Sequence, residues 1–507
     1  MTVNKRKVAF RVDASSQIGT GHFMRCLTLA DALRARGAHT YFLSRHLPEY
    51  LCSELAKNGH EVLLLDTVEN LMATDELVHG SWRGVSQAQD AADSLQALSD
   101  KQWDWLVVDH YALDSRWEAL LRHAATKILV IDDIADRQHD CDVLLDQNLY
   151  ADMETRYVGK VPAGCRMLLG PHYSLLRDEF GRLREQVKTR IGPVRRLLVF
   201  FGGVDVNNYT GYVIEALLQI KITDLHVDVV IGMQHPFRTH IEAACIQHGF
   251  FCHVQTDNMA ELMAAADMSI GAGGVATWER CCLGLPTLAL CTADNQQRQV
   301  EDAARRGLLY SPEITGDLTQ SIGRHILALI ENGYLRQLIS RNGMQTVDEY
   351  GVSRLLASME CDDVEVRVAT LDDSEKLFNW RNHPRIREMS RNTGVISSLD
   401  HKQWFSAVLA DSRRLLLIGE NAGSPIGVVR FDVKNGEAEV SIYLTPEKAS
   451  SGLGWNLLRS AESWLMVNYP DVRKIRAGVL GANERSLRFF VKAGYKIESA
   501  DYSKRLH

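Results

Sequence analysis

The sequence predicts an α/β protein with two successive parallel-sheet lobes followed by a smaller α+β domain. Three observations carry this. Strand-like and helix-like runs alternate from residue 8 to 131, and a second such series runs from 197 to 359. After Cys361-Asp-Asp363 the pattern changes to consecutive strands with one hairpin signal, Lys434-Asn-Gly436. The chain has 507 residues, a length that suggests about three domains. The expected domains are 1–165, 166–360 and 361–507.

In the first series the strands are Val8–Val12, Thr40–Leu43, Glu61–Leu65, Trp105–Val108 and Ile128–Ile131. Helical patterns lie near 23–36, 48–58, 88–99 and 114–124. The first strand runs into Arg11-Val-Asp-Ala-Ser-Ser-Gln-Ile-Gly-Thr-Gly-His-Phe-Met-Arg25, a glycine turn that opens a helix. Such a helix start offers unpaired N–H groups and a positive dipole end, which suit an anion. His22 and Arg25 sit in its first turn. Ligands bind such sheets beyond the carboxyl ends of the strands. Asp13, Asp109-His-Tyr111, Asp132-Asp133 and Asp146-Gln-Asn148 all fall there. Each aspartate alone is by default a turn or capping residue, and Asp109 and Asp133 are read as structural.

The Gly-Pro pairs at 170–171 and 192–193 place a crossing between lobes in the less regular segment 150–194. The second series has strands Leu197–Phe201, Val227–Ile231, Cys252–Val254, Met268–Ile270 and Thr287–Leu290. A second glycine turn, Gly271-Ala-Gly-Gly274, opens a helix with Glu279 one turn in. Helices near 317–332, 334–348 and 351–359 close this lobe. In the third domain, strands at Glu365–Ala369, Leu415–Gly419, Pro425–Val433 and Ala438–Leu444 precede Ser450-Ser-Gly-Leu-Gly454. A long helix, a strand (Lys474–Val479), a helix (Glu484–Ala493) and a short final strand follow.

Composition excludes several classes. Hydrophobic residues make 46% and charged residues 24%, and the net charge is -7. Bulk attraction to nucleic acid or an anionic membrane is therefore not expected, and no apolar run spans a bilayer. The ten cysteines are scattered without a Cys-x-x-Cys pair. Reduced thiols, a cytoplasmic location and no metal site are expected.

The region 7–360 resembles the UDP-sugar hydrolases of pseudaminic acid biosynthesis. These remove UDP from UDP-2,4-diacetamido-2,4,6-trideoxy-altropyranose. The match is carried by Arg11-x-Asp-Ala-Ser-Ser-Gln-Ile-Gly-Thr-Gly-His-x-Met-Arg25, Asp109-His-Tyr111, Phe201-Gly-Gly-x-Asp205, Gly271-Ala-Gly-Gly-x-x-x-Trp-Glu279, Gly284-x-Pro286 and Asp294-Asn-Gln296. The resemblance implies two Rossmann-like lobes of GT-B-like fold, a nucleotide on the second lobe, inverting attack at the anomeric carbon and no metal. It makes His22 the general base and gives Asn295 the placing of sugar or water. Gly273 and Gly274 would face the pyrophosphate and Glu279 the ribose hydroxyls. Asp13, Tyr111 and Gln296 become sugar contacts. Gly21, Arg25, Gly202 and Gly203 complete the expected substrate-binding set.

Residues from about 364 to 507 resemble the Gcn5-related N-acetyltransferases (GNAT). Ser450-Ser-Gly-Leu-Gly454 matches the pyrophosphate loop for coenzyme A, with Ser451, Gly452 and Gly454 as contacts. Ala449 stands where that loop usually begins with Arg or Gln. Asn483-x-x-Ser486 and Gly494-Tyr495 match the downstream motif. The tyrosine acid common seven residues after Asn483 is Phe490 here, leaving Tyr495, another tyrosine or water to protonate the thiolate, and Glu439 and Ser441 as candidates to deprotonate the amine directly or through water. Trp380 and Trp404 are stacking candidates, although core packing is the commoner use of tryptophan. The resemblance implies acetyl-CoA and a UDP-sugar as ligands. A chain with both parts would acetylate a 4-amino sugar nucleotide and then hydrolyse the product. The alternatives are a GT-B-type glycosyltransferase, or a hydrolase with a coenzyme A-sensing domain.

Overall fold

The computed structural model describes residues 6–15, 17–66, 77–222, 224–293, 296–359, 364–390, 392–421, 423–449, 453–479 and 483–498. The chain divides into two compact units, Met1–Val352 and Ser353–His507.

The first unit holds two parallel sheets. Strands β1 (Lys7–Val12), β2 (His39–Ser44), β3 (Glu61–Leu64), β4 (Trp103–Asp109), β5 (Ala125–Ile131), β6 (Val143–Asp146) and β7 (Arg166–Leu169) make the first, in the order β3-β2-β1-β4-β5-β6-β7. Strands β8 (Arg196–Phe200), β9 (His226–Ile231), β10 (Phe251–Val254), β11 (Met268–Ala272) and β12 (Thr287–Leu290) make the second, ordered β10-β9-β8-β11-β12. Both follow the Rossmann succession, in which the chain starts at the centre, winds to one edge, and returns to build the other half. These are the two Rossmann-like lobes expected above.

Helices cover both faces of these sheets, which is why central strands such as β5 and β8 read as apolar runs. In β8 and the residue after it, Leu197, Val199 and Phe201 pack into one core, whereas Leu198 and Phe200 pack into another. In the first lobe Phe10 stacks on Phe42, centroids 4.9 Å apart, across the register pair of β1 and β2.

Two strands were not foreseen. β6 and β7 are short and show no alternation, and β7 pairs with β6 in the first sheet. The first lobe therefore runs beyond residue 165, the boundary read from the sequence.

The second unit has one sheet, β13 (Val364–Val368), β14 (Arg414–Asn421), β15 (Ser424–Lys434), β16 (Glu437–Leu444) and β17 (Lys474–Ala477), in that order. The β15–β16 hairpin turns at Asn435 and Gly436, whose φ values of 50° and 76° are those of a tight type I′ turn. β17 runs parallel to β16, but its pairing ends at Val440–Ala477 while β16 continues to Leu444. The 15-residue helix Gly454–Asn468 packs on this sheet. The expected final strand is absent from 483–498 and otherwise lies outside the described residues. No helix among the described residues is long and apolar enough to cross a membrane.

Candidate active site

The first-lobe site grows from the ends of β1, β4 and β5. The helix Gly21–Ala35 follows the first glycine turn, so His22 and Arg25 lie one turn apart on a common face. His22 Nδ1 lies 2.6 Å from Asp109 Oδ1. Arg25 grips the same carboxylate with two bonds, Nε to Oδ2 at 2.6 Å and Nη2 to Oδ1 at 2.8 Å. Its Nη1 donates to Asp133 Oδ2 at 2.8 Å.

These partners settle the tautomer of His22. Burial pushes the Asp109 carboxyl up, but Arg25 and His22 outweigh it and hold it well below the ordinary carboxylate range. An ionised carboxylate only accepts, so Nδ1 must carry the proton. Arg25 Nη2, 3.1 Å from Nδ1, donates to Asp109 Oδ1 at 2.8 Å, the shorter of its two contacts. Nε2 is then the basic nitrogen, on a side chain that retains 11% exposure. Tyr111 stands edge-on to the imidazole at 4.5 Å. Trp82 stacks near Tyr111 at 5.7 Å, and His79 lies 5.4 Å from it.

Several expectations are corrected here. Asp13, expected as a sugar contact, is wholly internal. It pairs with Arg11, accepts from the backbone of Arg45 and His46, and bonds His110. Arg25 is committed to two carboxylates and is not a phosphate ligand. Tyr111 donates its hydroxyl to Asp133, leaving only its ring at the site. Conversely Asp109, read as structural, orients the candidate base.

The second-lobe site lies at the ends of β8 and β11. Nothing comes within 4 Å of a Cβ built on Gly202 or Gly203, or on Gly21 across in the first lobe. Gly273 is needed for another reason: a Cβ there would lie 2.5 Å from Val300 Cγ2. The Gly274 N–H is occupied by Gln299 Oε1 at 3.0 Å, which removes it from the expected pyrophosphate set. The Gln296 side chain borders both glycines. Asn295 lies outside the described residues.

Glu279 is in the first turn of the helix Ala276–Cys282. Burial raises its pKa against the opposing pull of Arg177 and Arg280. No hydrogen bond to its carboxylate occurs among the described residues. Arg280 is buried beneath the turn and donates to the Ala272 and Ala276 carbonyls. Burial lowers its pKa to about 10, so it remains a cation at neutral pH.

In the second unit Gly454 starts the long helix, 3.9 Å from Leu444 at the open end of β16 by its built Cβ. Ser451 and Gly452 lie outside the described residues. Asn483 Oδ1 accepts the Ser486 N–H at 3.1 Å, so Asn483 caps the helix Glu484–Lys492. The Tyr495 hydroxyl is given to Glu462 at 2.6 Å, and burial raises its pKa further. That corrects its reading as a ready acid. Phe490 fills the core. Glu439 is exposed on β16, between the core residues Ala438 and Val440. Trp380 packs against a core cluster, while Trp404 is 36% exposed. No group of three or more potential metal ligands occurs among the described residues.

Residues 363–496 match the acetyltransferase (GNAT) domain family. The UDP-2,4-diacetamido-2,4,6-trideoxy-beta-L-altropyranose hydrolase of Campylobacter jejuni is 24% identical over 303 residues, 59% of this chain and 97% of that one. The chain is a homologue of that hydrolase with a C-terminal GNAT domain. An uncharacterized protein of Methanocaldococcus jannaschii is 22% identical over 97% of this chain and 96% of its own length. The spore coat polysaccharide biosynthesis protein SpsG of Bacillus subtilis is 23% identical over 70% of this chain and 97% of its own. The chain is thus similar to a UDP-sugar hydrolase over its first part and matches an acetyltransferase domain family over residues 363–496.

Proposed function

We propose that the chain carries out two consecutive steps on one nucleotide sugar. The GNAT domain acetylates the 4-amino group of UDP-4-amino-4,6-dideoxy-N-acetyl-altrosamine. The first unit then hydrolyses UDP-2,4-diacetamido-2,4,6-trideoxy-β-L-altropyranose with inversion, giving UDP and the free sugar.

The observation that carries the hydrolytic half is the 2.6 Å contact between His22 and Asp109. It leaves Nε2 as the accepting nitrogen of an imidazole oriented by a buried carboxylate. A water attacks the anomeric carbon, its proton passes to Nε2, and the bond from that carbon to the β-phosphate oxygen breaks with its electrons on UDP. The leaving diphosphate is already a good anion, so it needs a positive field and not a proton. The buried Arg280 cation beneath the second glycine turn supplies one. Glu279 accepts hydrogen bonds from the ribose hydroxyls.

For the acetyl step, acetyl-CoA supplies the acetyl group as a thioester. Gly454 and the first turn of its helix would hold the pyrophosphate. Beyond Val440 the edge of β16 that β17 leaves open, its other edge still held by β15, offers backbone groups to the pantetheine arm. The amine of the sugar attacks the thioester carbonyl, Glu439 takes a proton from it directly or through water, and the carbon–sulfur bond breaks with its electrons on sulfur, water protonating the departing coenzyme A thiolate.

The test is one incubation of the full chain with acetyl-CoA and a panel of epimeric UDP-4-amino sugars, followed by mass spectrometry. Acetylation followed by UDP loss is expected for the altro sugar. UDP release only when an acceptor other than water is added would make the first unit a glycosyltransferase. No acetyl-CoA consumption with any sugar would make the second a sensing module.

A further inference from the structure

The Asp146-Gln-Asn148 cluster has no part in the chemistry just described, yet Asn148 lies between the two lobes' sites. Its Nδ2 donates to Asp133 Oδ2 at 3.2 Å. Its Oδ1 accepts from Trp278 Nε1 at 2.9 Å and from Gln299 Nε2 at 3.2 Å. A flipped carboxamide would set donors against both N–H groups and an acceptor against the carboxylate, so only one orientation is tenable. Gln299 is 2% exposed. It also clasps the Gly274 peptide, accepting from its N–H at 3.0 Å and donating to its carbonyl at 3.3 Å.

A continuous path of buried polar contacts therefore runs from Gly274 through Gln299, Asn148, Asp133 and Arg25 to Asp109, which holds His22. The lobes do not need this path merely to stay together. The Ala151 N–H bonds Asp302 at 2.9 Å and Arg298 pairs with Asp152 at 3.1 Å. What distinguishes the carboxamide pair is that one end fixes the nucleotide-side turn and the other fixes the carboxylate set around the base.

Resting on the hydrolytic reading above, we propose that Asn148 and Gln299 are positioning residues that hold the leaving-group site in register with His22. Misplacement of reacting groups by about 1 Å costs on the order of 100-fold in rate. Buried carboxamides resist such drift because a lost partner leaves a desolvated polar atom.

The test uses steady-state hydrolysis by the full chain carrying Asn148→Ala, Gln299→Leu, or both, with melting temperatures measured alongside. Each single variant is expected to lose about 100-fold in kcat with KM within a few-fold of the parent. The double variant should lose no more than about twofold beyond the worse single, because both break one path. Arg298→Gln, which cuts a different contact between the lobes, should keep kcat within about twofold. If Gln299→Leu does not fold, Gln299→Glu keeps the volume but sets an acceptor against Gly274 O and Asn148 Oδ1, and it should show the same loss. Singles with near-parental kcat, or multiplicative losses in the double, overturn the assignment while leaving the hydrolytic reading intact. A parent that hydrolyses no UDP-sugar overturns that reading and this assignment with it.

Discussion

His22 is distinguished from a helix-start histidine by what sits behind it. A bare imidazole would choose its tautomer freely, whereas the Asp109 carboxylate fixes the proton on Nδ1. His22→Ala is expected to abolish hydrolysis while UDP still binds, measured by turnover and calorimetry. Asp109→Asn should lower kcat by about 10²–10⁴-fold with little change in KM. It should also lower stability by about 3–5 kcal/mol, since Arg25 loses a buried counter-charge; denaturant unfolding measures this. Glu279 gives a pH prediction. Its carboxyl titrates above the ordinary 4.5 because it is buried. UDP affinity should be complete above that raised pKa and fall as pH drops through it. The stability linkage runs the other way. A raised carboxyl contributes stability below 4.5 that is lost as pH rises through the folded pKa. Glu279→Gln should therefore weaken UDP binding at pH 7, flatten its pH dependence, and raise the melting temperature of the ligand-free protein.

At the scale of elements, the second glycine turn acts through packing as much as through its backbone. Gly273→Ala would drive a methyl against Val300 on the helix Gln297–Arg305. A loss of about 1–3 kcal/mol and weaker UDP binding are expected, read by unfolding and calorimetry. Most elements were legible because burial on both faces writes apolar runs into Ile128–Ile131 or Leu197–Phe201. The hairpin was legible because Asn435-Gly436 tolerates positive φ. β6 and β7 escaped because no α-helix separates them from β5 or from each other, so the strand–helix alternation that marked the other short strands is missing there. Of the site, His22 and Glu279 stood out at helix starts. Gln299 gave no signal, because a buried glutamine in a helix looks like a surface one until its partners from other segments are in place.

For the whole molecule, the two activities predict a separable outcome in the intact chain. His22→Ala incubated with acetyl-CoA and the UDP-4-amino sugar should accumulate the acetylated UDP-sugar, detected by mass spectrometry. Accumulation of unacetylated substrate alone would count against the order of steps.

By itself the sequence determined the two Rossmann-type series, the α+β domain behind them, and the residues at which chemistry was to be sought. These follow from periodicity, turn residues and local motifs, all properties of neighbours along the chain. Only the tertiary structure decided how the charges pair. Asp13 and Arg25 looked available to a ligand until Arg11, Asp109 and Asp133 closed around them. Gly274 looked free until Gln299 took its peptide. The physical reason is that a buried polar group must find partners wherever the fold brings them. Those partners lie far apart in sequence, so no local pattern announces them.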